Sequence, residues 1–97
     1  MISIIQGDTK NVTFTLTGGD ASIVDTLVFS SMGLGVSQEL VKINDTDWML
    51  IFDSEFTSSC RLCTTTFDLT AFCDDNQIQT VVYQGKIEVL KKVNKIR

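Results

Sequence analysis

The stretch Phe67-Asp68-Leu69-Thr70-Ala71-Phe72-Cys73-Asp74-Asp75-Asn76-Gln77-Ile78-Gln79-Thr80-Val81-Val82-Tyr83-Gln84-Gly85-Lys86-Ile87-Glu88-Val89 decides the fold. It reads as two strands around a short acidic turn, followed by a last strand that begins at a glycine. Upstream, the first of these strands extends back to Cys63. Cys63, Thr65, Phe67, Leu69 and Ala71 point one way, and Thr64, Thr66, Asp68 and Thr70 point the other. A period of two with one apolar face marks a half-buried strand of an antiparallel sheet. Asp74-Asp75-Asn76 turns the chain, Ile78 to Tyr83 returns, and Lys86 to Leu90 leaves with Ile87 and Val89 inside. Gly85 is expected to be a bulge or a sharp entry into the final strand.

The rest of the chain repeats the pattern. Ile2 to Ile5 is a short β-branched run that Gln6-Gly7-Asp8 interrupts. Val12, Phe14 and Leu16 alternate with Thr13, Thr15 and Thr17, and Gly18-Gly19-Asp20 is a turn. Thr26 to Ser31 puts Leu27 and Phe29 inward, and Ser37 to Ile43 reads as one strand. Asn44-Asp45-Thr46-Asp47 then joins it to Trp48–Phe52 as a hairpin with a four-residue loop. Asp53 or Ser54 caps at most a single helical turn containing Phe56. Roughly seven or eight short strands, spaced by turns, predict an all-β fold, a small antiparallel β-sandwich of the Ig-like kind.

Length and composition set the limits. The 97 residues, 43% of them hydrophobic, fit one domain with one core. The expected organisation is a single β-sandwich over residues 1–97 that ends in a short basic tail, 91–97. The net charge of −4 is unevenly spread: residues 86–97 carry +4 and the remainder −8. An acidic body with a basic end is a poor match to a nucleic-acid binder, whose basic side chains line one face. The tail reads as a solvated end or as a docking tail for an acidic partner. No apolar run approaches the ~20 residues of a membrane span. The N-terminus lacks the basic n-region of a signal peptide, so the chain is expected to be made and kept in a cytoplasm or to leave by cell lysis.

The sequence carries little chemistry. Histidine is absent, which removes the commonest general base, the usual triad and most catalytic zinc sites. Gly33-Leu34-Gly35 lacks the third glycine and the following helix of a phosphate loop. Cys60-Arg61-Leu62-Cys63 is a single CxxC, with Cys73 as the third thiol. One knuckle is half of a structural zinc site, and no α/β pattern supports a redox CxxC. Cys63 and Cys73 are expected to act as small buried hydrophobes, with Cys60 in a loop. Asp45/Asp47 and Asp74/Asp75 fall in turns, where aspartate serves the backbone. No catalytic, cofactor-binding or metal-ligating residue is assigned. Trp48 and Tyr83, the one tryptophan and one tyrosine, read as sheet-packing residues or, in the alternative of a stand-alone carbohydrate- or ligand-binding module, as its platform.

Two groups of residues resemble a known domain. The first is Ile4-Ile5-Gln6-Gly7-Asp8-Thr9 followed by Val12-Thr13-Phe14-Thr15-Leu16. The second is Phe67-Asp68-Leu69 with Tyr83, Gly85, Lys86, Ile87 and Val89. Together they resemble the N-terminal β-sandwich domain of the upper baseplate and tail-fibre proteins of phages of Gram-positive bacteria. Phe67 stands where that pattern has tyrosine, and the CxxC lies outside it. The resemblance implies a non-enzymatic phage or prophage structural protein, a virion component acting through protein–protein contacts. Its implied partners are other phage structural proteins and further copies of itself, with no nucleic acid, no membrane and no cofactor.

Overall fold

The computed structural model describes residues 1–92. Eight strands form two sheets. Strands β1 (Ile2–Ile5), β3 (Val24–Ser31), β4 (Val36–Glu39), β7 (Cys63–Cys73) and β8 (Ile78–Leu90) make a five-stranded sheet in the order β1-β8-β7-β3-β4. Strands β2 (Lys10–Thr15), β5 (Val41–Lys42) and β6 (Asp47–Phe52) make a three-stranded sheet in the order β2-β6-β5. A helix, α1 (Ser54–Ser59), and a 3₁₀ turn at Ala21–Ile23 complete the described chain. The β-sandwich expectation is met. All pairings are antiparallel except that of β1 with β8, which runs parallel from Ile2↔Ile87 to Ile5↔Leu90.

The alternation read from the sequence becomes the sandwich interior. Leu27 and Phe29 from β3, Phe67, Leu69 and Ala71 from β7, and Ile87 and Val89 from β8 bury against Trp48, Leu50 and Phe52 from β6. The sheets meet through aromatic rings. Phe29 lies edge-on to Phe52 at 5.3 Å and stacks on Phe67 at 5.2 Å, while Phe14 reaches Phe67 at 6.4 Å. Each fully buried ring or branched aliphatic contributes about 1.5–3 kcal/mol, and the aromatic pairs add about 0.5–1.5 kcal/mol each.

Two boundaries differ from the sequence reading. The run from Ser37 to Ile43 is two strands, because Leu40 is buried and its N–H bonds the Leu27 carbonyl at 2.8 Å. That anchor carries the chain from the large sheet to the small one, so β4 and β5 belong to different sheets. The returning segments Ile78–Tyr83 and Lys86–Leu90 are one continuous strand, β8. It stays continuous because two bulges absorb the surplus residues: Tyr83 and Gln84 together face Asp68, and Val81 is inserted between the Leu69↔Val82 and Thr70↔Thr80 pairs. A bulge bends a strand and sharpens its twist without ending it. The short helical piece containing Phe56 lies where the sequence placed it, as α1. Asp53 accepts the Phe56 N–H at 2.8 Å as its N-cap, and Phe56 stacks on Phe52 at 4.9 Å.

Candidate interaction surface

The two motif groups are each tied together in space. Gln6-Gly7-Asp8 is clamped onto α1 and the residue that follows it. The Gln6 side-chain amide donates to the Cys60 carbonyl at 2.7 Å, and the Gly7 N–H donates to Thr57 Oγ1 at 3.1 Å. Thr57 donates in turn to the Asp8 carbonyl at 2.9 Å. Gly7 has a φ of +88°, a conformation that glycine adopts freely. Asp8 also holds Lys92, with Nζ 2.8 Å from Oδ1. Thr57 is fully buried, and nothing in the local residue pattern marks it.

The second group meets at the bulge. Gly85 sits on the Phe67 ring, and a Cβ built there would stand 2.6 Å from two ring carbons. Asp68 Oδ1 accepts the Gln84 N–H at 2.8 Å, and Gln84 carries a φ of +55°. The expectation that Gly85 is itself a bulge or the entry to a last strand is corrected: it pairs with Phe67 inside the continuous β8. The bulge falls on Tyr83-Gln84 and the left-handed position is Gln84, because the Phe67 ring leaves no room for a Cβ at Gly85.

The cysteines are arranged differently from the sequence reading. Cys60 lies in the link between α1 and β7, as expected, yet it is the most buried of the three and belongs to the core; Cys63 and Cys73, expected to be buried, are half-buried against it. Cys60 is the C-cap of α1, and its N–H donates to the Thr57 carbonyl at 3.3 Å. Burial pushes the Cys60 thiol above its ordinary value, and the neighbouring Cys63 adds to the effect. All three are free thiols. Among the described residues, no group of three or more Cys, Asp or Glu side chains is gathered as a metal-ligand set.

The carboxylate pairs serve turns. Asp47 accepts from Thr15 at 2.9 Å and from Asn44 at 3.2 Å, and these bonds hold its carboxyl below the usual carboxylate range. Asp75 accepts the Gln77 N–H at 3.2 Å, and Asn76 takes a φ of +67°. Gly33 is seated against the Thr65 side chain, a structural close approach. Trp48 lies inside the sandwich at 2% exposure and Tyr83 outside at 73%, so the two do not form one exposed platform. Lys42 Nζ covers the Trp48 ring at 5.6 Å. Of the basic tail, Lys91 and Lys92 are described, and residues 93–97 lie outside the described residues. No described helix is long and apolar enough to cross a membrane.

What remains exposed is sheet edge and apolar surface. The described part measures 50 × 23 × 19 Å, an elongated body. β1 pairs only with Ile87–Leu90, so among the described residues no strand pairs with the outer edge of β8 from Ile78 to Lys86. Ile78, Val81, Tyr83 and Phe72 are exposed along this half of the β7–β8 hairpin. A second apolar group, Val41, Ile43 and Ile51, is exposed on the small sheet. No protein-family model, curated protein or solved structure matches the chain.

Proposed function

We propose that the chain is a non-enzymatic structural protein of a phage or prophage, a baseplate- or tail-associated module that assembles through protein–protein contacts and is carried in the virion. The observation that carries this reading is the open sheet edge. Strand edges in a protein that works alone are blunted by charge, proline, bulges or cover, and on this edge the bulges at Val81 and Tyr83-Gln84 leave Ile78–Thr80 regular. Here proline is absent from the whole chain, and the Ile78–Gly85 edge bears no charged side chain. Such an edge is suited to pairing with another chain. The phage assignment rests on the two motif groups, whose residues Gln6-Gly7-Asp8 and Phe67-Asp68 with Gly85 each form a local clamp. The second reading, a stand-alone carbohydrate- or ligand-binding module, retains Tyr83 as an exposed ring but not Trp48.

The test is the particle. Prophage induction of the source bacterium, density-gradient purification of the particles and mass spectrometry of their proteins should find this chain alongside tail components. A chain absent from purified particles, encoded among sugar-metabolism genes, would overturn the reading.

A further inference from the structure

The open half of β8 has an order of charges that matches itself only in reverse. At one end stand Asp74 and Asp75, in the exposed turn before the strand. Next comes Ile78-Gln79-Thr80-Val81-Val82-Tyr83-Gln84-Gly85, without a charge, and then Lys86. Ile78 to Val81 are exposed one after another, so neither face of this segment is covered by the small sheet. Phe72 and Ile78 form an exposed cross-strand pair beside it.

We propose that this edge is the contact between two copies of the chain, which pair β8 with β8 antiparallel about a two-fold axis near Thr80. The proposal rests on the assembly reading above and names its surface. A two-fold contact needs one patch that complements itself. Antiparallel pairing centred on Thr80 sets Ile78 across from Val82 and Gln79 across from Val81. The same register brings Lys86 of each copy to the Asp74-Asp75 turn of the other. The opposite, parallel arrangement would set lysine beside lysine and carboxylate beside carboxylate, which repel. Pairing joins the two five-stranded sheets into one continuous sheet and satisfies the open backbone groups of Ile78–Val82. It also brings the exposed Phe72–Ile78 pairs of the two copies toward one another. The bulge at Val81 lies within this segment and that at Tyr83-Gln84 just beyond it, so the backbone pairing is confined to Ile78–Val82 and the Lys86 contact with the Asp74-Asp75 turn is one between side chains outside the ladder.

The experiment is light scattering coupled to size exclusion over a concentration series. The wild-type chain should show twice the monomer mass. Thr80→Lys, on an exposed side chain, should return it to monomer mass with an unchanged far-UV circular dichroism spectrum, because the two-fold axis sets lysine against lysine. Thr80→Glu should do the same, and an equimolar mixture of the two variants should recover the dimer mass. A wild-type chain that stays monomeric at every concentration overturns the proposal, as does a dimer indifferent to both substitutions. If Ile51→Lys on the small sheet splits the oligomer while Thr80→Lys does not, this edge is not the contact and the assembly reading stands through another surface. If the chain is monomeric yet present in purified particles, the self-pairing fails and the structural-protein reading survives.

Discussion

Asp68 and Gln84 face each other across the β7–β8 ladder, and the Asp68 carboxylate accepts the Gln84 backbone N–H at 2.8 Å. The bond falls where two residues of β8 oppose one residue of β7. A bulged residue loses its regular ladder partner, and Gln84 adds a left-handed φ of +55°. The Asp68 side chain replaces the missing backbone acceptor. Asp68→Ala should therefore cost about 0.5–1.5 kcal/mol, seen as a lower urea midpoint with an unchanged m-value. Asp68→Asn, which keeps an acceptor oxygen, should retain most of the stability. An Asp68→Ala variant as stable as wild type would show that the bulge holds itself.

Gly85 is fixed by packing rather than by its own dihedral angles. With Phe67 Cε1 and Cζ each 2.6 Å from an added Cβ, Gly85→Ala must push the ring into Phe29, which stacks on it at 5.2 Å. Overpacking of this kind costs about 1–3 kcal/mol. The double variant Gly85→Ala/Phe67→Leu should lose less than the sum of the two single changes, because the smaller side chain removes the clash. Strict additivity in a double-mutant cycle would refute this account.

The same pair of strands shows what the sequence could and could not convey. The inward face of β7 was legible because alternation is a local property: Phe67, Leu69 and Ala71 are all buried. So were the Asn44–Asp47 turn and the Asp53 cap, since both are written in consecutive side chains. The parallel pairing of β1 with β8 was not legible, because strands 85 residues apart in register carry no local signal for their direction. The sheet change at Leu40 was hidden for a related reason. Its cause is one long-range bond to Leu27, and the flanking alternation continues through it. The burial of Cys60 was not legible, because burial at a helix end depends on where the helix docks, not on the CxxC spacing. The open edge of β8 could be anticipated only as a general consequence of the missing prolines. Which strand carries it follows from the four-residue length of β1.

Trp48 combines deep burial with an indole N–H that has no hydrogen-bond partner among the described residues. Trp48→Phe removes apolar area but also removes an unsatisfied donor, whose burial costs about 1–3 kcal/mol. The net loss should therefore be smaller than for Phe29→Ala, which forfeits about 3–5 kcal/mol. Tryptophan emission should be blue-shifted, resistant to iodide and unchanged by soluble sugars. Strong iodide quenching would contradict the buried position.

The thiols should separate by reactivity. Thiolate is the nucleophile, and Cys60 is both buried and held above its ordinary value of 9.0 by that burial, then by Cys63. Iodoacetamide at mildly alkaline pH should modify Cys63 and Cys73, which are half-buried, before Cys60. Peptide mapping over a time course reads the order. In denaturant the three rates should converge, and a Cys60 that reacts first in the folded protein would overturn the assignment.

Asp47 supplies the pH dependence of the β5–β6 hairpin. Its carboxylate accepts from Thr15 Oγ1 at 2.9 Å and from Asn44 Nδ2 at 3.2 Å, and Thr46 Oγ1 lies at 3.4 Å. The Thr15 bond is the largest cause of the depressed carboxyl, followed by that of Asn44. A carboxyl held lower in the folded chain than in the unfolded one binds fewer protons when folded. Its contribution is then complete above the ordinary value of 3.8 and is lost as pH falls through the lower folded value. Asp47→Asn cannot titrate, so the Tm difference between wild type and this variant should be greatest at neutral pH and should shrink on acidification below 3.8. Thr15→Val should raise the Asp47 carboxyl toward its ordinary value in an NMR titration, because it removes the first donor. A wild-type advantage that stays constant down to strong acid would show that these hydrogen bonds do not favour the charged form.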